Sequence, residues 1–156
     1  MALEVGDAVP DFTLTGSIGS EDTEVSLSDF EGKKLIIVFY VLDFSSVCSV
    51  HIPDYNAKLN EIQSKNGEVI AINRDSALAH KAWSEDLGGV KFPLLADMNL
   101  EVSKKFGIAL EEVGITNRGV FVIDSEGTVA FKHVEATPSD NTIEVEQVLS
   151  ELDKAK

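Results

Sequence analysis

The chain has 156 residues, 44% of them apolar and 26% charged, an ordinary balance for a globular domain. That length makes one domain, able to bury roughly two thirds of its unfolded surface, so no disulfide staple is required. Its 27 acidic against 13 basic side chains give a formal net charge of −14. This excludes nucleic acid as a partner, because phosphates need clustered cations, and leaves the acidity as an aid to solubility. No apolar run reaches the roughly 18 residues of a membrane span, and no basic-then-apolar leader opens the sequence. The expectation is therefore no membrane partner and a cytoplasmic location. Only one cysteine, Cys48, and two arginines, Arg74 and Arg118, occur.

Taken in order, Gly6 to Leu14 reads as an extended edge or entry strand, since Pro10 is tolerated there and not in a central strand. Gly16 to Glu21 reads as a loop, and Val25 to Lys34 as a short strand and turn. Leu35 to Tyr40, a continuous apolar run rich in β-branched and aromatic residues, is the pattern of a strand buried on both faces. From about Ser46 the apolar positions Val47, Val50, Tyr55 and Leu59 take helical intervals, with Pro53 expected to kink the helix or start a new turn. Gly67 is expected to stop it. Glu68 to Asn73 is a second core strand, Ser76 to Leu87 a helix ended by Gly88 and Gly89, Lys91 to Asp97 a short strand, and Leu100 to Phe106 a helix closed at Gly107. Gly119 to Val134 reads as a hairpin turning at Asp124 to Gly127, and Thr142 to Leu152 as an amphipathic helix. This order gives an α/β domain with a mixed central sheet flanked by helices, parallel where helices intervene and antiparallel at the hairpin. No repeat or low-complexity segment interrupts it.

The chemistry concentrates where the Leu35 strand hands over to the helix. Cys48 falls in the first helical turn, where unpaired N–H groups and the positive end of the helix dipole favour a thiolate. Ser45 or Ser46 supplies the N-cap. Without its flanks, Cys48 would read as a small buried hydrophobe. His51, three residues on, shares its helix face and reads as a base or a Cys/His ligand. One cysteine and one histidine fall short of the three or four protein ligands zinc needs, so no metal is expected.

The string VLDFSSVC, Val41 to Cys48, resembles the active-site loop P-x-x-x-T-x-x-C of the peroxiredoxins, the AhpC/TSA family. The resemblance extends over nearly the whole chain, through AHKAW at Ala79 to Trp83, FPLLAD at Phe92 to Asp97 and GITNRGVFVID at Gly114 to Asp124. It implies a thioredoxin-like fold with peroxiredoxin elaborations, Cys48 as the peroxidatic cysteine, and Arg118 as the arginine that reaches its sulfur. An always-charged guanidinium near Cys48 would favour the thiolate and bind a peroxide oxygen. Two positions depart from the motif. Val41 stands where the family has the proline that stiffens the loop and shields the cysteine, and Ser45 where it has threonine. The hydroxyl that bonds thiolate and peroxide is kept. His51 occupies a position where many members have glutamate. Val47 and Trp83 join the supporting set, with Trp83 and His80 read mainly as packing residues and Arg74 as a structural or interface charge.

The function implied is reduction of hydrogen peroxide and organic hydroperoxides through a sulfenic acid at Cys48, with no metal, haem, flavin or selenium. With one cysteine, no intramolecular disulfide forms, so the resolving thiol is external: a low-molecular-weight thiol, a glutaredoxin or a thioredoxin. The resemblance is accordingly to the one-cysteine, AhpE-like type, which lacks a long C-terminal arm and commonly forms homodimers. Two alternatives stay open. One is a catalytically weakened thioredoxin-fold holdase or interaction protein; the other is a monothiol oxidoreductase, since His51 stands where a C-x-x-C pair would have its second thiol.

Overall fold

The computed structural model describes residues 2–45 and 48–156. Among them, a hairpin of β1 (Thr13–Ile18) and β2 (Glu21–Ser26) leads through a 3-10 turn at Leu27–Phe30 into β3 (Lys34–Phe39). Helices α1 (Cys48–Ala57) and α2 (Leu59–Ser64) return the chain to β4 (Gly67–Asn73). Then follow α3 (Ala77–Asp86), β5 (Leu94–Ala96), α4 (Glu101–Lys105), and the two-residue strands β6 (Ala109–Leu110) and β7 (Ile115–Thr116). The chain ends in the hairpin β8 (Gly119–Ile123) and β9 (Val129–Val134) and helix α5 (Val145–Lys154).

The described strands form one sheet in the order β2-β1-β5-β4-β3-β8-β9, with β6 and β7 paired separately. Pairs β3–β4 and β4–β5 are parallel, as their intervening helices require, while β3–β8 and β8–β9 are antiparallel. Strand β3 lies inside the sheet, and its alternation sorts side chains to two faces. Ile36, Val38 and Tyr40 pack with Cys48, Ile52, Trp83 and Val148 under α1, α3 and α5. Leu35, Ile37 and Phe39 pack on the opposite face with Phe12, Phe106 and Phe121. There Phe106 lies edge-on to Phe121 with ring centroids 4.9 Å apart, a geometry aromatic quadrupoles favour. Burial on both faces explains why β3 is apolar from Leu35 to Phe39.

Several element bounds differ from expectation. The strand expected at Gly6 to Leu14 begins only at Thr13, and Gly16 to Ile18, read as loop, is strand; the turn is Gly19 and Ser20, with Gly19 at φ +59°. Both strands of this hairpin are polar and near the sheet edge, so no apolar alternation marks them. Pro53, expected to kink the helix or start a new turn, lies inside a helix assigned without interruption. α1 runs on to Ala57, and the interruption falls at Lys58, whose N–H bonds the Tyr55 carbonyl three residues back. The left-handed residue after α2 is Asn66, at φ +61°, rather than Gly67, which already belongs to β4. Helix α5 begins at Val145 rather than Thr142, because Thr142 is committed to a carboxylate described below.

Gly16 marks a close approach of backbones. A Cβ there would strike the Leu94 carbonyl oxygen and lie 2.8 Å from Leu95 Cα across the β1–β5 pair. Gly16→Ala is expected to destabilise the fold by about 2 kcal/mol, as overpacking does. Urea unfolding checks this, and an unchanged midpoint would contradict it.

Candidate active site

Cys48 is the first residue of α1 and is wholly buried, on the helix-covered face of the sheet. Its backbone N–H donates to Ser45 Oγ at 3.2 Å, and the Ser49 N–H donates to the Ser45 carbonyl at 2.9 Å, so Ser45 caps the helix by side chain and main chain. The helix is thereby started with the sulfur in its first turn, where the dipole is positive. Ser46, the other cap candidate, and Val47 lie outside the described residues.

Arg118 immediately precedes β8, the antiparallel neighbour of β3, which brings it back to the site 70 residues later in the chain. It is 2% exposed. Its Nη2 donates to Cys48 Sγ at 3.1 Å, Nε and Nη2 donate to the Pro138 carbonyl at 3.3 Å, and Nη1 lies 3.4 Å from His51 Nδ1. Among the described residues no carboxylate pairs with it. A buried guanidinium without a counter-ion is costly. Of the groups it touches, only the Cys48 sulfur can carry negative charge, and it stands where a counter-ion would.

His51 sits on the Cys48 face of α1 and is buried against Tyr55, ring centroids 5.4 Å apart. Burial, then the positive charge of Arg118, lowers its pKa from 6.5 to about 4, despite the opposing influence of Glu135. The imidazole is therefore neutral near pH 7. Its Nδ1 faces the guanidinium donor, which assigns the proton to Nε2, a buried atom with no partner among the described residues. It is not part of a metal cluster; among the described residues no group of three or more potential ligands gathers.

Trp83 is buried, stacked on Tyr40 at 5.3 Å, and its Nε1 donates to Ser49 Oγ at 3.4 Å. Val41 is half-buried and packs against the same core. Arg74 is exposed and outside the site. Several residues that hold the site were not identified from sequence. Pro138 contributes a backbone carbonyl, which leaves no side-chain signal. The loop carrying it is closed by Glu135, whose carboxylate accepts from the Thr142 N–H at 2.9 Å and hydroxyl at 2.8 Å, with His133 Nε2 at 2.9 Å. Burial raises the pKa of Glu135, but the Thr142 and His133 bonds outweigh it and hold the carboxyl below its usual range. A depressed carboxylate stabilises the fold above its unfolded pKa and loses that contribution as pH falls through the folded value. Glu135→Gln is expected to cost about 1–2 kcal/mol near neutral pH and to leave a shallower acid limb; denaturant unfolding at several pH values checks it, and an unaltered limb would contradict it.

A mixed sheet with a capped cysteine at a helix N-terminus, facing a buried arginine, defines the peroxiredoxin class of thioredoxin-like proteins. The family model described as the AhpC/TSA family matches residues 5–132, and the chain belongs to that family. It is 38% identical over 138 residues to a putative peroxiredoxin in the rubredoxin operon of Clostridium pasteurianum, covering 83% of this chain and 78% of the relative. It is 37% identical over 141 residues to the mitochondrial thioredoxin-dependent peroxide reductase of Rattus norvegicus, covering 86% of this chain. The chain spans 55% of that relative's length. Among solved structures, Enterococcus faecalis AhpC superposes with a TM-score of 0.91 at 30% identity, over 99% of this chain and 92% of that one.

Proposed function

We propose that the chain is a thiol-dependent peroxidase acting on hydrogen peroxide and organic hydroperoxides by a one-cysteine mechanism. The observation that carries this reading is the 3.1 Å contact between Cys48 Sγ and a buried guanidinium lacking any carboxylate partner among the described residues. The thiolate attacks one peroxide oxygen. An S–O bond forms as the O–O bond breaks, and the departing hydroxide or alkoxide takes up a proton to leave as water or alcohol. Cys48 is left as sulfenic acid. Arg118 supplies N–H donors to the oxygen on which charge develops, and the Ser45 hydroxyl and the N–H groups of the first helical turn assist. His51, neutral, adds no second positive charge.

Recycling uses two external thiols. The first displaces water from the sulfenic acid to give a mixed disulfide, and the second releases Cys48 as a thiol with a new external disulfide. Candidate reductants are a low-molecular-weight thiol, a glutaredoxin or a thioredoxin; the Rattus relative's name supports the last. Because Cys48 is wholly buried, the groups that cover it have to move for any such thiol to reach the sulfur. A homodimer formed through the edge near the active site belongs to the same reading.

Peroxide consumption with glutathione, a glutaredoxin system or a thioredoxin system as sole reductant tests it. At least one should sustain turnover that Cys48→Ser abolishes. Turnover surviving in Cys48→Ser, or none with any reductant, would overturn the proposal.

A further inference from the structure

Beneath the cysteine loop lies a buried polar cluster that the peroxide chemistry does not use. Asp43, five residues before Cys48, points inward. Its Oδ1 accepts the Tyr40 hydroxyl at 2.7 Å and Asn73 Nδ2 at 3.2 Å, and its Oδ2 lies 2.6 Å from His80 Nδ1. His80 is wholly buried on α3, and its other nitrogen, Nε2, faces the Leu95 carbonyl at 3.1 Å. The Asp43 backbone N–H donates to Asp75 Oδ2 at 2.7 Å, and Asp75 is itself tied to Asn73. Tyr40, also 3.3 Å from His80 Nδ1, stacks on Trp83. Burial first, and then Asp43, drives the Tyr40 hydroxyl's pKa well up, which keeps it a donor.

Hydrogen-bond accounting locates the protons. A carbonyl only accepts, so His80 Nε2 carries hydrogen. The short contact at Oδ2 needs one proton between that oxygen and His80 Nδ1, and the two donors aimed at Asp43 Oδ1 suit an ionised carboxylate, with that proton on the nitrogen. We propose that Asp43 and His80 form a buried carboxylate–imidazolium pair that positions the cysteine loop, so that the placing of Ser45 and Cys48 depends on a charge on α3. The cluster joins the ends of β3 and β4, helix α3 and strand β5 to the segment that leads into Cys48. Loss of either charge leaves the other buried and uncompensated, which is the condition under which a buried pair is most damaging to break. Asp43 and His80 are thus positioning residues, and neither touches the sulfur.

The kinetic part of this inference rests on the peroxidase reading of Cys48; the structural part does not. In the unmutated protein at neutral pH, 15N NMR should show His80 with both ring nitrogens protonated; a neutral His80 with hydrogen only on Nε2 would overturn the pair. Asp43→Asn and His80→Gln should each speed hydrogen exchange at the amides of Leu42, Phe44, Ser45 and Cys48 by about tenfold or more, and slow peroxide oxidation of Cys48 by a similar factor. The double variant D43N/H80Q, which exchanges both charges for amides, should be no slower than either single variant. Exchange within about twofold of the unmutated protein in both single variants would overturn the positioning role, even with a charged His80. An unmutated protein oxidised no faster than free cysteine would instead overturn the peroxidase reading alone, with the NMR and exchange results still deciding the pair.

Discussion

Arg118→Ala lowers the rate constant for oxidation of Cys48 by hydrogen peroxide by about 10²–10³-fold, the usual loss when a preorganised donor to developing charge is removed. Two effects combine. The sulfur loses the only charged group in contact with it among the described residues, and the leaving oxygen loses its donor. Arg118→Lys recovers only part of the rate, because one ammonium cannot serve the sulfur, the Pro138 carbonyl and His51 in the fork that the guanidinium spans. The single-turnover rate constant, measured by stopped flow, checks both variants, with circular dichroism to confirm folding. A Lys variant equal to the unmutated protein would show that charge alone, without geometry, suffices. An Ala variant within about threefold of it would contradict the assigned role of Arg118.

The second large effect is on stability. His51 has a pKa of about 4 in the folded chain against 6.5 when unperturbed. Between those values the unfolded chain binds a proton that the folded one refuses, so stability declines as pH falls from 6.5 and the decline is complete below about 4. Above 6.5 both states hold neutral imidazole and the contribution vanishes. The full deficit is about 3 kcal/mol. His51→Gln, which cannot titrate and still offers an oxygen to Arg118, removes it. Urea unfolding should show the unmutated protein losing about 2–3 kcal/mol more than the variant between neutral pH and the mid-4 range. Parallel pH profiles would contradict the buried, neutral state of His51.

What could be read from the sequence follows from what leaves a local signature. β3 is legible because burial on both faces requires an unbroken apolar run, and the β8–β9 turn because Asp124 to Gly127 is hairpin chemistry. The β1–β2 hairpin is not legible. Thr13, Thr15, Ser17, Asp22 and Glu24 give no apolar period, and its fit depends on Gly16 meeting β5, about 80 residues away in the chain. At the site, Cys48, Ser45 and Arg118 stand out through the motif they share with peroxiredoxins; the structure sets the Ser45 hydroxyl on the Cys48 N–H and Arg118 on the sulfur. Pro138 acts through a carbonyl that every residue possesses. Nothing local to Asp43 reveals that it turns inward to His80. Glu135 and Thr142 are likewise paired only by the return of the chain.

Trp83, the chain's sole tryptophan, touches Ser49 beside the sulfur and offers a built-in reporter. The most direct test of Cys48 as a peroxidatic thiolate is stopped-flow mixing of the reduced protein with hydrogen peroxide, following Trp83 fluorescence and trapping sulfenic acid for mass spectrometry. The account predicts stoichiometric oxidation at Cys48 roughly four or more orders of magnitude faster than a free thiol, with the signal absent in Cys48→Ser. Oxidation no faster than that of free cysteine, or sulfenic acid trapped with no dependence on Arg118, would contradict it.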